Sequence, residues 1–209
     1  KYKLKIEDLE ERGLSTVGHT VRKYLEWQVL GYAVKNFLDK GDIIVRDGVL
    51  QTSVEEERKY AEEVYNIVLE NEVYLLGLAK TCSLRMTSGY PLIASVKFLA
   101  RENNLDKWYY HPIAENNHPD HKGEMYIVKY HPSSKYAFRT EFYRKQNPPI
   151  EDVFGHLALQ ANDPIFLGYP YGLVDADKKA RVTDEEIEYL KNMGENKMSE
   201  GFRDKTNSM

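Results

Sequence analysis

Residues 16 to 80 alternate two helix-like stretches with two short apolar runs, and few folds accommodate that order. Residues 16–39 contain no Pro, and Val17, Val21, Leu25, Val29, Tyr32 and Ala33 recur at helical spacing. Ser15 or Thr16 suits the start of that helix, and Gly41 suits its end. Asp42 to Asp47 (DIIVRD) has a continuous apolar centre, as in a strand covered on both faces. Residues 54–70 read as a second helix, with Glu55, Glu56 and Glu57 in the first turn, where the helix dipole favours acid. Val73 to Lys80 reads as a second buried strand. The order α–β–α–β with short connections predicts an α/β fold around a largely buried sheet.

The rest of the chain changes character. A third helix is expected over 90–102, entered through Pro91. Trp108–Tyr110, Met125–Tyr130 and Ala137–Tyr143 read as strands, the last two as an antiparallel pair across His131–Lys135. Helices are expected over 150–161, 170–181 and 183–193, and residues 194–209 read as a polar tail. Residues 1–193 form one expected domain, because a chain of 209 residues can bury a full core without staples.

Composition narrows the chemistry. Lys plus Arg is 29 against 33 Asp plus Glu, a formal charge of −4, which excludes nucleic-acid affinity by bulk charge alone. Cys82, the single cysteine, excludes an internal disulfide or a Cys-based zinc site and suits a reducing cytoplasm. No apolar run approaches the ~20 residues needed to span a bilayer. Lys1 to Glu11 is charged and is not expected to be a signal peptide.

Three acids stand out. Asp177, in a helix opened by Pro170, shares its face with Leu173, Val174 and Ala180. A carboxylate on an apolar stripe is costly unless it is paired or holds a metal, so a buried salt bridge and a metal ligand are both open. Glu26 lies at the flank of its helix stripe, between Ala33 and Phe37. Asp47 ends a strand and precedes Gly48, which fits either a ligand site at a strand end or a common Asp-Gly turn. Several carboxylates converging on hard cations is the arrangement that two-metal phosphodiester hydrolysis needs, with oxygen donors selecting magnesium or manganese.

Competing constellations are weaker. His111, His118 and His121 lie in a Pro-containing loop with no defined ligand geometry for zinc. Cys82, near Lys80, has no evident His partner and reads as a small core residue. Ser83 and Ser88 lack the context of a nucleophile elbow, and there is no Walker A or dinucleotide fingerprint. The 16 tyrosines read mainly as packing and interface material.

Three stretches resemble the NurA nuclease family: IIVRDGVL at 43–50, LLGLAKT at 75–81 and LGYPYGLVDADKKARVT at 167–183. The last is the most specific, carrying the family's signature in Gly168, Tyr169, Pro170, Tyr171, Leu173, Ala176 and Asp177. The likeness runs from about residue 15 to 190. It implies an RNase H-like mixed sheet flanked by helices, with an antiparallel strand insertion near 108–143. It further implies a manganese-dependent deoxyribonuclease (Mg²⁺ also fits), a homodimer, and a HerA-type translocase as partner in DNA end resection. By similarity Glu26, Asp47 and Asp177 are the metal-binding acids, Asp177 standing where the family often has His. Lys80 matches a family lysine that would hold a phosphate, and Arg85 is a second candidate for DNA contact. The family's first acidic strand should precede the helix at 16–39, and none of residues 1–15 reads as it. It is expected from a longer chain or another polypeptide, beside strand 43–47. The rival expectation is a non-catalytic NurA-like subunit that binds a translocase or DNA and holds no metal.

Overall fold

A computed structural model describes residues 14–113 and 118–193. Residues 1–13, and residues 194–209 with the tail expected there, lie outside the described residues. In chain order the elements are α1 (Leu14–Phe37), β1 (Ile43–Asp47), α2 (Glu55–Glu70), β2 (Tyr74–Ala79) and α3 (Leu92–Glu102). They continue as β3 (Trp108–Tyr110), β4 (Gly123–Lys129), β5 (Phe138–Tyr143), α4 (Ile150–Leu159) and α5 (Tyr171–Ala180). A last helical run, α6, covers 184–193. The chain divides at Tyr171 into two units, so Asp177 stands in a different unit from Glu26 and Asp47.

The strands of the first unit form a five-stranded mixed sheet in the order β1-β2-β5-β4-β3. β1 and β2 are parallel, and all the other pairs are antiparallel. Among the described residues β1 and β3 are therefore the edges. The register aligns Arg46, Gly77, Glu141 and Met125 across the sheet, and laterally paired residues share a face. That face is covered by α1 and α2, whose Trp27, Val34, Ala61 and Tyr65 pack with Leu75 and Tyr143. The opposite face carries α4, with Phe154 against Tyr126, Tyr130 and Phe142.

α1 turns a different stripe inward from the one its valines suggest. Thr20, Tyr24, Trp27 and Val34 are buried, whereas Leu25, Val29 and Tyr32 are 38%, 58% and 51% exposed. Burying Tyr24 and Trp27 removes more apolar area than burying the valines, since each aromatic contributes on the order of 150–250 Å². Gly31 on the same stripe lets α2 come close, for a methyl there would sit 3.3 Å from Ile67 Cδ1.

The turn after β1 folds back over β2. The Gly48 N–H donates to the Leu78 carbonyl at 2.8 Å, and an added Cβ at Gly77 would lie only 2.6 Å from the Gly48 carbonyl oxygen. Gly77→Ala is therefore expected to destabilise the fold by about 1–3 kcal/mol, the usual range for overpacking. A denaturant midpoint equal to that of the parent would refute this close approach.

In the second unit, α6 starts with a capping box. The Glu186 N–H donates to Thr183 Oγ1 at 3.2 Å, and the Thr183 N–H donates to Glu186 Oε2 at 2.8 Å. Among the described residues no helix is long and apolar enough to cross a membrane.

Candidate functional site

Because β1 and β2 are parallel, their carboxyl ends lie together, which is where ligands collect in open α/β sheets. Asp47 is the last residue of β1, and Lys80 follows the last residue of β2. Lys80 Nζ donates to Asp47 Oδ2 at 2.9 Å, and both side chains are 48% exposed. Lys80 Nζ also lies 5.3 Å from the centre of the Tyr169 ring, within cation–π range. Tyr169 is buried edge-on against Phe138, with ring centres 5.2 Å apart. The residue before it, Gly168, has φ +92°, a left-handed conformation that glycine tolerates. A methyl at Gly168 would also strike Ser134. The GYP segment is thus built to bring one aromatic ring under the lysine.

An exposed pair of this kind contributes only about 0–1 kcal/mol. Its two members separate cheaply, so Lys80 is available to a phosphate and Asp47 to a cation. Beyond Lys80 the chain forms a small hairpin over 84–92, in which the Met86 N–H bonds the Tyr90 carbonyl at 2.9 Å. Arg85 lies on it, with Nη1 donating to the Gly89 carbonyl at 2.9 Å.

The other two expected acids are each paired with arginine. Glu26 faces Arg46 at 3.3 Å and Arg22 at 3.6 Å. Arg46 and Asp47 are consecutive in β1, so their side chains leave on opposite faces of the sheet. Glu26 follows Arg46, and the structure does not bring Glu26 and Asp47 together. Asp177, in the second unit, is not on a buried stripe: it is 48% exposed and paired with Arg181 at 3.1 Å, and Val174 is the buried residue of α5. Among the described residues no three His, Cys, Asp or Glu side chains gather as a metal cage. The loop histidines separate as well. His111 stacks on Tyr126 with Nε2 3.2 Å from Glu124, while His121 is fully buried elsewhere. Cys82 is half-buried rather than in the core.

Two buried acids were not anticipated, Glu57 and Glu141, and both hold the turn that follows Asp47. Glu57 accepts hydrogen bonds from the Trp27 indole at 3.0 Å and from the Ser53 N–H at 2.9 Å. Burial pushes its carboxyl up, but the Ser53 and Trp27 hydrogen bonds and the Lys23 charge outweigh that and hold it below the usual range. Glu141 accepts from His121 Nε2 at 3.0 Å, from Arg139 Nε at 2.6 Å and from the Leu50 N–H at 2.7 Å. Burial again opposes ionisation, and the His121 hydrogen bond, the Arg139 charge and the Leu50 N–H together lower its pKa. Arg46 Nη1 adds a bond to the Val49 carbonyl at 2.5 Å. Residues 49, 50 and 53 are thus pinned from behind by buried charges, which fixes the backbone leaving Asp47.

This sheet, with its α1/α2 layer and its late antiparallel strands, has a solved counterpart. The crystal structure of the NurA nuclease from Sulfolobus solfataricus superposes with a TM-score of 0.57 at 17% identity, covering 86% of this chain and 67% of that one. The fold is NurA-like. No protein-family model matches the sequence. No curated protein matches it either.

Proposed function

We propose that the chain is a metal-dependent DNA nuclease working at the carboxyl ends of β1 and β2. The observation that carries this reading is the exposed Asp47–Lys80 pair over Tyr169, set at the ligand-collecting end of a NurA-like sheet. Magnesium-like cations need only one or two protein carboxylates when substrate phosphate oxygens complete the shell. Asp47 supplies hard oxygen donors of that kind; Asp177 is proposed as a metal-binding carboxylate of the second unit in its own right. Glu26 is held by its guanidinium partners and acts here through Arg46, steadying β1. Asp47 would hold Mn²⁺ or Mg²⁺, which would supply Lewis-acid chemistry toward the phosphate and an attacking water. Lys80 holds the phosphate that displaces it from Asp47, and Tyr169 keeps the ammonium at that position. Work at DNA ends with a HerA-type translocase, as a homodimer in the cytoplasm, belongs to the same proposal and rests on the NurA resemblance.

The rival subunit reading draws on the cation beside each acid, Arg46, Lys80 and Arg181. Calorimetric Mn²⁺ titration with a cleavage assay on labelled DNA separates the two. The nuclease reading expects metal binding and cleavage; DNA binding with neither would favour the non-catalytic subunit.

Because the whole chain is net acidic, contact with DNA rests on a few local cations. Lys80→Ala is expected to reduce the slope of log K against log salt by about 1, the loss of one phosphate contact. An unchanged slope would remove Lys80 from the DNA contacts.

A further inference from the structure

Far from Asp47 along the sheet, a cleft of about 160 Å³ opens between β3, β4 and α4. Val128, Tyr130 and Phe154 line it, and Gly155 and Ala158 make its helical wall. Glycine inside a helix is unfavourable by roughly 1 kcal/mol relative to alanine. Nothing lies within 4 Å of where a Gly155 Cβ would be, so packing does not require the glycine. What the small side chain leaves is the cleft itself. The cleft is smaller than the ~300–1,000 Å³ of small-molecule sites and suits one large apolar side chain.

Two further features sit beside it. Among the described residues β3 is an edge strand, so one side of Trp108–Tyr110 offers backbone groups for pairing. The rim carries Lys107, Lys129 and Glu151. Glu151 already accepts the Tyr109 hydroxyl at 2.7 Å, and Lys129 Nζ donates to the Pro132 carbonyl at 2.7 Å. Lys107 is exposed and makes no hydrogen bond or ion pair with the described residues, so the rim has a cation to spare.

We infer that the β3–α4 cleft docks an extended peptide of a partner protein, which adds as a strand to β3. One bulky aliphatic or aromatic side chain fills the cleft, and an adjacent acidic residue meets Lys107. Main-chain bonds to the edge provide affinity, and the pocket and the lysine provide selectivity. A nucleic-acid strand fits less well, since Glu151 stands at the rim and a sheet edge offers nothing specific to a base.

The test is selection of a random-peptide phage library on the full chain, followed by fluorescence anisotropy with the labelled consensus peptide. The expected consensus pairs an acid with a bulky apolar residue. Gly155→Leu, which fills the cleft, and Lys107→Glu, which reverses the rim charge, should each weaken binding at least tenfold. Circular dichroism would verify that both variants stay folded, and Lys107 is exposed enough to serve if Gly155→Leu does not. The Tyr109 and Tyr110 amides should exchange more slowly in the complex. No enrichment above background, or peptide binding indifferent to both substitutions, would overturn the inference. So would an oligothymidylate probe whose binding both variants abolish, which would give the cleft to single-stranded DNA.

Discussion

Glu141→Leu should cost the protein about 3–5 kcal/mol, the range for removing one partner of a buried ion pair. That is a large share of the ~5–15 kcal/mol that holds a domain together. The carboxylate is fully buried and accepts from His121, Arg139 and the Leu50 N–H. Leucine leaves the Arg139 guanidinium without its counter-charge and the Leu50 N–H without an acceptor. Adding Arg139→Met should recover part of the loss, since it removes the uncompensated guanidinium but leaves the Leu50 N–H and His121 unpaired. The pH dependence follows from the lowered pKa. A carboxyl that ionises more readily when folded stabilises above its unfolded value, here 4.5, and that stability drains away as pH falls through the folded value. Glu57 acts in the same direction. Urea titrations from neutral to progressively more acidic pH should therefore show the gap between the parent and Glu141→Leu narrowing on the acid side. A variant as stable as the parent at neutral pH would show that the carboxylate is not holding the turn.

Asp47→Asn should reduce DNA cleavage by at least about a hundredfold and leave the fold intact. Lewis-acid stabilisation is worth several kcal/mol, and each 1.36 kcal/mol is a factor of ten in rate. The amide keeps the volume but loses the charge that Lys80 pairs with and that the proposed divalent cation would need. The fold should hardly respond, because the exposed Lys80 pair contributes only about 0–1 kcal/mol. Single-turnover cleavage in Mn²⁺, with melting temperatures measured alongside, gives both halves of the result. Parent-level cleavage would remove Asp47 from the reaction.

Much of the layout was legible in the sequence. Strands DIIVRD and VYLLGLAK are bounded by glycines, acids and turns, and local pattern alone places them as β1 and β2. The Asp47–Lys80 pairing follows once those strands are parallel and in register. Two helices were harder. α1 carries two competing apolar stripes, and the winner depends on Gly31 and Trp27 meeting α2, which a single helix cannot reveal. α5 reads as amphipathic around Asp177, yet within it Val174 is the buried residue.

Glu57 carries a signal beyond the helix dipole. It precedes Ala61, Val64, Tyr65 and Val68 at helical spacing, so an acid on the buried stripe was visible. Glu141 and Arg139 had a fainter one, two residues apart in a strand and hence on one face. Nothing local ties them to His121, which a loop delivers from 18 residues upstream of Arg139.

Among the described residues nothing pairs with the outer side of β1, which bears on handling the protein at high concentration. Ile43–Asp47 contains neither Lys nor Pro, the residues natural sheets use to blunt an edge. Elsewhere on the surface, Leu25, Val29 and Tyr32 of α1 leave apolar area facing water. An unpaired backbone template on a chain that also exposes apolar side chains is how ribbons of misassociated chains begin. A neighbouring strand laid on this edge would protect the protein colloidally, quite apart from any chemistry it brought to Asp47.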